Sequence, residues 1–289
     1  MKTKYLISIV GPTAIGKTAL SIELAQHFET EIISADSRQF FKEMQIGTAA
    51  PTSDELSSAK HHFIHHKSIK DEYNVGAFEK DALQCLEKLF QDKDAVIMVG
   101  GSGLYVDVIT KGLDHFPKVG SNIREKLNKE LKTKGLEDLQ EQLKALDPVS
   151  YNTIAIDNPH RVIRALEICI GSEKPYSSFL NKGKEKRNFK TITVGLTADR
   201  EMIYNRINQR VNIMMQKGLL EEVKGLLVSK DLNALNTVGY KELFNYLSGE
   251  WDLEFATSEI KKNTRRLPNA NSHGLKGMKI HFGLITMFL

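Results

Sequence analysis

Short apolar runs alternate with amphipathic segments along the chain. The runs KYLISIV, TEIISA, DAVIMV and KTITVGL are rich in β-branched residues and bounded by charge or glycine, as buried parallel strands are. The segment KTALSIELAQHF has helical spacing, which predicts that Leu20, Leu24 and Phe28 share one side of a helix. In GAFEKDALQCLEKLFQD the predicted apolar side consists of Phe78, Ala82, Cys85, Leu86 and Leu89. Strands that alternate with helices predict an α/β domain with a central parallel sheet.

A long segment between VGGSGLYVDVIT and KTITVGL contains several amphipathic helices and no good strand. That pattern predicts a helical insertion in the α/β core. The expected parts are residues 1–116 as the first part of the core, 117–187 as the insertion, 188–266 as the second, mainly helical part of the core, and 267–289 as a tail of different character.

Composition narrows the class of protein. The chain has 289 residues and 41% hydrophobic content, enough for one large domain or for a main domain with a smaller one. Its net charge of +4 permits a nucleic-acid partner without requiring one. Cys85 and Cys169 fall in apolar helical spacing, which favours buried, reduced thiols. No apolar run reaches the roughly 18 to 20 residues of a membrane span, so we expect a cytoplasmic protein without a membrane partner.

A phosphate-binding loop follows the first predicted strand. The segment GPTAIGKT fits the pattern GxxxxGK followed by Ser or Thr, whose backbone N–H groups surround an anion at a helix N-terminus. Lys17 would neutralise phosphate oxygens, and the Thr18 hydroxyl would bind Mg²⁺. The pattern alone favours a nucleotide such as ATP. The predicted phosphate-binding residues are Gly11, Pro12, Thr13, Ala14, Ile15, Gly16, Lys17 and Thr18.

Two further strand ends carry polar residues. The second strand ends in SADSRQF and the third runs into VGGSGLY, and open α/β sheets bind ligands at the carboxyl ends of their strands. Asp36 there could coordinate Mg²⁺, act as a base or cap the next segment. The hydroxyl of Ser102 would face the same crevice. A GTPase is disfavoured because NKGKEK lacks the acidic residue of the guanine-binding motif, whereas a small-metabolite kinase remains possible.

Taken together, the motifs resemble one family, the tRNA dimethylallyltransferases, also called tRNA isopentenyltransferases. The matching segments include GPTAIGKTAL, EIISADSRQ, MQIGTAAPT, HHFI, VGGSGLY, NPHRVIRALEI, GLLEEV, TVGYKEL and IKKNTRR, in the family's order over residues 5–266. The resemblance implies a P-loop kinase-like α/β core that transfers no phosphate. It implies instead alkylation of N6 of the adenosine 3′ of the anticodon with dimethylallyl diphosphate, and release of diphosphate.

The same resemblance implies roles for individual residues. Asp36 would accept the proton of the poorly nucleophilic amine, while Lys17 and a Mg²⁺ near Thr18 would stabilise the leaving diphosphate. Ser102 would support the diphosphate or adjoining tRNA contacts, and Arg124 would act on the diphosphate or the tRNA. Two segments would contact the anticodon stem-loop through Asp36, Ser37, Arg38, Gln39, His160, Arg161, Val162, Ile163 and Arg164. We expect a monomer whose insertion lies along the anticodon stem.

Two departures and two rival hypotheses accompany the resemblance. Ala50 stands where the family usually has lysine, and His65 stands where it often has an acid. A phosphotransferase that uses ATP is disfavoured by the segments HRVIRALE and VGGSGLY. A non-catalytic RNA-binding remnant is the other alternative, because the C-terminal tail departs from the family.

The tail LPNANSHGLKGMKIHFGLITMFL does not continue the family pattern, which after Arg266 runs roughly Phe or Tyr, then AKRQ and later TWF. If a reading frame has been lost, the third base of each codon, read together with the first two bases of the next codon, should still encode the expected residues. Asn269 with Ala270 then encodes Arg or Cys, and His273 with Gly274 encodes Trp or Arg. The permitted strings include FAKRQLTWFKRNE, the family's continuation. Residues 267–289 are therefore interpreted as out of frame and without function.

Resequencing the gene tests this hypothesis. We expect the DNA to show a shifted frame just after the codon of Arg266, arising from a sequencing error or a true frameshift. An unshifted frame in the DNA, with residues 267–289 found in the intact protein by mass spectrometry, would contradict it.

Overall fold

The computed structural model describes residues 2–180, 186–266, 279–282 and 285–288. Its strands form one sheet in the order β3-β2-β4-β1-β5-β7-β6. The first five in this order are parallel, whereas β7 runs antiparallel to β5 and to β6. The strands are β1 (Tyr5–Val10), β2 (Ile32–Ser34), β3 (His61–His62), β4 (Ala95–Val99), β5 (Lys190–Leu196), β6 (Lys279–Phe282) and β7 (Ile285–Phe288). The predicted α/β class with a central parallel sheet is confirmed, and the tail adds an antiparallel pair.

Helices follow the strands and fill the segment between β4 and β5. They are α1 (Lys17–His27), α2 (Ser53–Ser58), α3 (Val75–Asp92), α4 (Gly103–Lys111), α5 (Ser121–Lys134), α6 (Leu136–Leu146), α7 (Pro148–Thr153), α8 (Pro159–Ser172), α9 (Arg200–Gln216), α10 (Leu219–Gly225), α11 (Tyr240–Leu247) and α12 (Leu253–Arg266). Single 3₁₀ turns lie at Tyr176–Phe179, Leu227–Ser229 and Asn233–Leu235. Within the described ranges, none of these helices has the length and apolar character needed to cross a bilayer.

The chain divides into two compact units. One combines the segment up to Lys111 with the segment from Arg187 onward, and the other is Gly112–Lys186. The predicted insertion, 117–187, starts five residues too late and ends one residue too late against these bounds. The physical boundary is the end of α4, after which Gly112 adopts a left-handed φ of 81° that terminates the helix.

Arg187 ties the return point of the chain to the first unit. Its guanidinium donates hydrogen bonds to the backbone oxygens of Val108 (2.7 Å) and Ile109 (3.0 Å) near the end of α4. It also pairs with Glu79 of α3, and only 11% of its side chain is exposed. Because α4 ends at Lys111, the chain leaves and re-enters the first unit at neighbouring points.

The buried side of α1 agrees with the predicted one only in part, since Leu20 and Leu24 are partly buried and pack against the core. Ser21 and Ala25 are the buried residues of this helix, whereas Phe28 is 43% exposed. Small side chains let the helix lie close to the sheet immediately after the phosphate loop, and the Ser21 hydroxyl donates to the Thr18 carbonyl (2.7 Å). In α3 the prediction is confirmed for Phe78, Ala82 and Leu86, which are buried.

The helices after β5 build a second core in the same unit. Val211 of α9, Leu219 of α10 and Tyr240 of α11 are buried there together with Met44 from the segment after β2. This packing joins the segment after β2 to the C-terminal helices, although the two lie far apart in sequence.

An aromatic cluster surrounds His66. Its ring makes edge contacts with Phe40, Phe63 and Tyr73, and both ring nitrogens are buried without a hydrogen-bond partner in the part of the chain that the structure describes. Burial, with a smaller effect of the Lys67 charge, lowers the pKa of His66 to about 4. The imidazole is therefore neutral in the folded protein at physiological pH.

Protonation of His66 is expected to destabilise the fold. Its pKa rises from about 4 in the folded state to its ordinary 6.5 on unfolding, so its contribution to stability is complete above pH 6.5 and is lost as the pH falls through 6.5 toward 4. We expect a loss on the order of 1–2 kcal/mol, measured by denaturant unfolding at several pH values. His66→Gln should flatten this dependence, whereas the exposed His27→Gln should not; equal pH profiles for wild type and His66→Gln would contradict the prediction.

Candidate active site

The phosphate loop lies between the end of β1 and the start of α1. Gly11 and Gly16 have positive φ angles of 151° and 106°, and Ala14 has 63°. A Cβ atom on Gly11 would lie 2.8 Å from the Leu196 carbonyl oxygen at the end of β5. Glycine at position 11 is therefore required both by the backbone conformation and by the close approach of the neighbouring strand.

Lys17 folds back over the loop that precedes it. Its ammonium group donates to the carbonyl oxygens of Gly11 (3.0 Å) and Pro12 (2.8 Å). Burial lowers the pKa of Lys17 to about 8; the charge of Asp36 opposes this shift and that of Arg210 adds to it. The loop thus holds a desolvated cation next to its backbone N–H groups, an arrangement suited to an anion.

A small polar cavity of about 40 Å³ adjoins this loop. Lys17 and Thr18 contribute from the loop, Asp36 and Gln39 from the segment after β2, and Gly100 and Gly101 from the turn after β4; Ser34, Pro51, His61, Ile64 and Val99 complete its lining. The structure therefore brings all three predicted strand ends together at this cavity.

His61 of β3 also lines the polar cavity and was missed as a site residue. Its Nδ1 lies 2.8 Å from the Ala59 carbonyl oxygen, which can only accept, so Nδ1 carries the hydrogen. Its Nε2 is buried and has no hydrogen-bond partner among the described residues, and burial lowers the pKa of His61. The motif HHFI contains this residue, but its short strand gives no apolar run that sequence analysis could detect.

A larger, mainly apolar cavity of about 160 Å³ also borders Asp36. Its apolar lining consists of Ile207, Val211, Met214, Leu219, Val238 and Ile260, and its polar lining of Thr13, Asp36, Arg38, Gly47, Thr48, Arg210, Thr237, Gly239 and Thr264. Asp36 lines both cavities. One carboxylate therefore borders a polar space beside the phosphate loop and an apolar space beside the C-terminal helices.

Arg210 of α9 is the second site residue that sequence reasoning missed. Burial lowers the pKa of its guanidinium, and the nearby charge of Asp36 opposes that shift. The guanidinium donates to the Thr48 carbonyl oxygen (3.5 Å). One turn earlier, Arg206 donates to the Ile15 carbonyl of the phosphate loop (3.3 Å). The motif RINQRV contains both arginines, but no sequence feature distinguishes a buried helical arginine from a solvated one.

Side chains of the DSRQ segment hold the surrounding loops. The Arg38 guanidinium donates to the carbonyl oxygens of Asn233 (3.1 Å), Ala234 (2.8 Å) and Asn236 (3.3 Å), and burial lowers its pKa. Ser37 is half-buried. Arg38 is thus engaged within the protein, and its predicted contact with RNA stays a prediction.

Ser102 lies at the start of α4, after the glycine turn that ends β4. Its carbonyl accepts from the backbone N–H groups of Tyr105 and Val106 (both 3.1 Å), and its side chain is half-buried and lines neither cavity. A Cβ on Gly100 would lie 2.6 Å from the Ala35 carbonyl oxygen. The turn therefore allows the ends of β2 and β4 to approach closely.

Arg124 and Arg164 lie in the second unit, where both pair with Glu167. The Arg124 guanidinium donates two hydrogen bonds to this carboxylate (3.2 and 2.8 Å), and Arg164 donates one (2.9 Å) while stacking on Phe116. Glu167 is only 6% exposed. Burial favours its neutral form, but the hydrogen bonds and charges of the two arginines outweigh this and lower its pKa.

Some side chains of the HRVIR segment are exposed, and others are buried in the core of the second unit. His160 and Arg161 are exposed at the start of α8, where the Asn158 side chain caps the helix. Val162 is fully buried and Ile163 is 4% exposed in the core of the second unit. Helical spacing thus turns the side chains of Val162 and Ile163 inward, and the predicted RNA contact of this segment stays a prediction.

Comparisons with known proteins agree with one another. The family model described as IPP transferase matches residues 39–269. A tRNA dimethylallyltransferase of Christiangramia forsetii is 63% identical over 264 residues, 91% of this chain and 87% of the relative, and one of Flavobacterium johnsoniae is 61% identical over 269 residues, with the same coverage. The solved tRNA isopentenylpyrophosphate transferase of Bacillus halodurans has a TM-score of 0.66 at 34% identity, covering 92% of this chain and 84% of its own. A eukaryotic dimethylallyltransferase acting on tRNA has a TM-score of 0.75 at 27% identity, covering 91% of this chain and 68% of its own.

Proposed function

The chain belongs to the IPP transferase family, the tRNA dimethylallyltransferases, and we propose that it transfers a dimethylallyl group from dimethylallyl diphosphate to N6 of the adenosine 3′ of the tRNA anticodon. The observation that carries this proposal is that Asp36 lines both the polar and the apolar cavity. A prenyl diphosphate has the same two-part chemistry, with an anionic head and an apolar tail.

The diphosphate head is assigned to the phosphate loop. The loop N–H groups, Lys17 and Arg210 would complement its charge, which grows as the bond to carbon breaks. Mg²⁺ fits as a companion of the diphosphate, with Thr18 as an oxygen donor at the polar cavity and the substrate and water as the remaining ligands. In the described part of the chain no group of three or more acidic, histidine or cysteine side chains could hold a metal alone. The ion would supply charge stabilisation of the leaving group.

The dimethylallyl tail is assigned to the apolar cavity. Val211, Met214 and Leu219 line it, and burial of a five-carbon group against such side chains is favourable by about 0.8 kcal/mol per CH₂. This position would place the first carbon of the tail beside Asp36, because the tail and the head would meet there.

The proposed reaction is a direct alkylation. The lone pair of N6 forms a bond to the first carbon of the dimethylallyl group, and the bond from that carbon to the diphosphate oxygen breaks with its electron pair leaving on the diphosphate. The proton of N6 passes to the Asp36 carboxylate. The target base must leave the stacked anticodon loop to reach this group.

Contacts with the RNA are assigned to the DSRQ segment and to the second unit. Arg124, Arg161 and Arg164 offer guanidinium groups of which large fractions are exposed, and such groups bind phosphates and stack on bases. Glu167 would keep two of these arginines in a fixed orientation.

The role of Asp36 as the base can be tested by substitution. The purified chain, incubated with dimethylallyl diphosphate, Mg²⁺ and unmodified tRNA carrying adenosine 3′ of the anticodon, should form prenylated adenosine. Asp36→Asn should lower the rate about 10²- to 10⁴-fold, since the amide cannot accept the proton, with little change in tRNA affinity. The exposed Asp92→Asn serves as a control. An equal loss of rate and of tRNA affinity would refute the role of Asp36 as the base.

The role of Glu167 in orienting the two arginines can be tested in the same way. In Glu167→Gln the neutral amide cannot hold both guanidinium groups, so the KM for tRNA should rise on the order of tenfold while the affinity for inorganic diphosphate stays unchanged. Initial rates at varied tRNA and salt concentrations measure this effect. Glu141→Gln, which alters an exposed glutamate of α6, is the matched control. An unchanged KM for tRNA would show that the pair only stabilises the second unit.

A further inference from the structure

Three sequence motifs meet at the side chain of Glu222. This residue lies on α10, in GLLEEV, and its carboxylate accepts hydrogen bonds from the backbone N–H groups of Gln45 (3.0 Å), Ile46 (2.7 Å) and Gly47 (2.9 Å), in MQIGTAAPT. It also accepts from the Tyr240 hydroxyl (2.6 Å), in TVGYKEL. Glu222 itself has no role in the chemistry proposed above.

The contact is specific for a carboxylate. Successive N–H groups form a concave anion site, and hydrogen bonds to an ionised acceptor are about twice as strong as neutral ones. Burial, together with the charge of Glu222, raises the pKa of Tyr240, so its hydroxyl remains a donor. A Cβ on Gly47 would lie 2.6 Å from the Tyr240 ring, so glycine is required for this close packing.

The same loop reaches the active site through the next residue. The Thr48 carbonyl oxygen accepts from Gln39 (3.3 Å) and from the half-buried Arg210 (3.5 Å), and the Ala49 carbonyl accepts from Gln39 (3.2 Å). Gly47 and Thr48 line the apolar cavity. The residues bound by Glu222 are therefore adjacent in sequence to the carbonyl that contacts Arg210.

We propose that Glu222 is a positioning residue, which fixes the backbone of residues 45–47 and thereby holds the Thr48 carbonyl that orients Arg210 and Gln39 beside Asp36. Glu222 itself lines neither cavity, so it acts through the loop. That the ligand bound by Arg210 is a diphosphate rests on the function proposed above.

A purely structural role for Glu222 makes a different prediction. Loss of stability alone would weaken ligand binding independently of Arg210, so the effects of two substitutions would add. Action through the loop requires Arg210, so the effect of changing Glu222 should disappear when Arg210 has already been replaced.

The test measures the Kd of inorganic diphosphate by calorimetry in the presence of Mg²⁺, on the full chain. Glu222→Gln keeps the size of the side chain but replaces an accepting oxygen with a donor, and we expect about tenfold weaker binding. In the Arg210→Gln background the further loss should be below about twofold. The control is Glu221→Gln, the exposed neighbour whose nearest cation is Lys224 at 3.9 Å. Additive losses, or an unchanged Kd in Glu222→Gln, would overturn the proposal.

A second variant keeps the test decisive if Glu222→Gln does not fold, as judged by its thermal unfolding. Tyr240→Phe removes one of the donors to the carboxylate and leaves the backbone contacts, so about threefold weaker diphosphate binding is expected, again only when Arg210 is present. A Kd equal to that of the wild type would overturn the proposal. Because neither RNA nor a prenyl group is present, a chain that binds diphosphate but does not prenylate tRNA would refute the proposed function alone.

Discussion

Two half-buried cations beside one carboxylate are the electrostatic constraint on which the site depends. Burial lowers the pKa of both Lys17 and Arg210, and Asp36 is the acidic group that opposes both shifts. Desolvated charge is costly unless it is paired, so this excess of positive charge favours an anionic ligand. The glycines of the phosphate loop, the Thr48 carbonyl and the Glu222 contact can each be understood as means of holding these groups in place before the ligand arrives.

The second unit has the reverse arrangement of charges. There one buried carboxylate, Glu167, lies under two arginines whose side chains are 50% and 41% exposed. Because the acid is buried and the bases reach solvent, the guanidinium groups are oriented but remain accessible to other anions. The first unit thus encloses its positive charge, suited to a small ligand, whereas the second presents it at a surface, suited to a long polyanion.

Local patterns predicted the elements that depend on local sequence, and missed contacts made by distant segments. The phosphate loop and the position of Asp36 follow from motifs next to predicted strands. Arg210 and His61 could not be identified, because their place in the site depends on the packing of α9 and on a strand of two residues. Arg124 was predicted to act on the diphosphate or the tRNA, and its pairing with Glu167, 43 positions away, is a long-range contact that no local pattern contains.

The contacts of Arg187 fix the point at which the chain returns from the second unit to the first. Arg187 holds the re-entry point against the Val108 and Ile109 carbonyls, close to the exit at Lys111. The segment between these two points is therefore a loop whose ends already lie close together in the first unit. The entropic cost of closing such a loop grows only slowly with its length. A segment of almost any size can therefore occupy this position at little cost to the stability of the first unit.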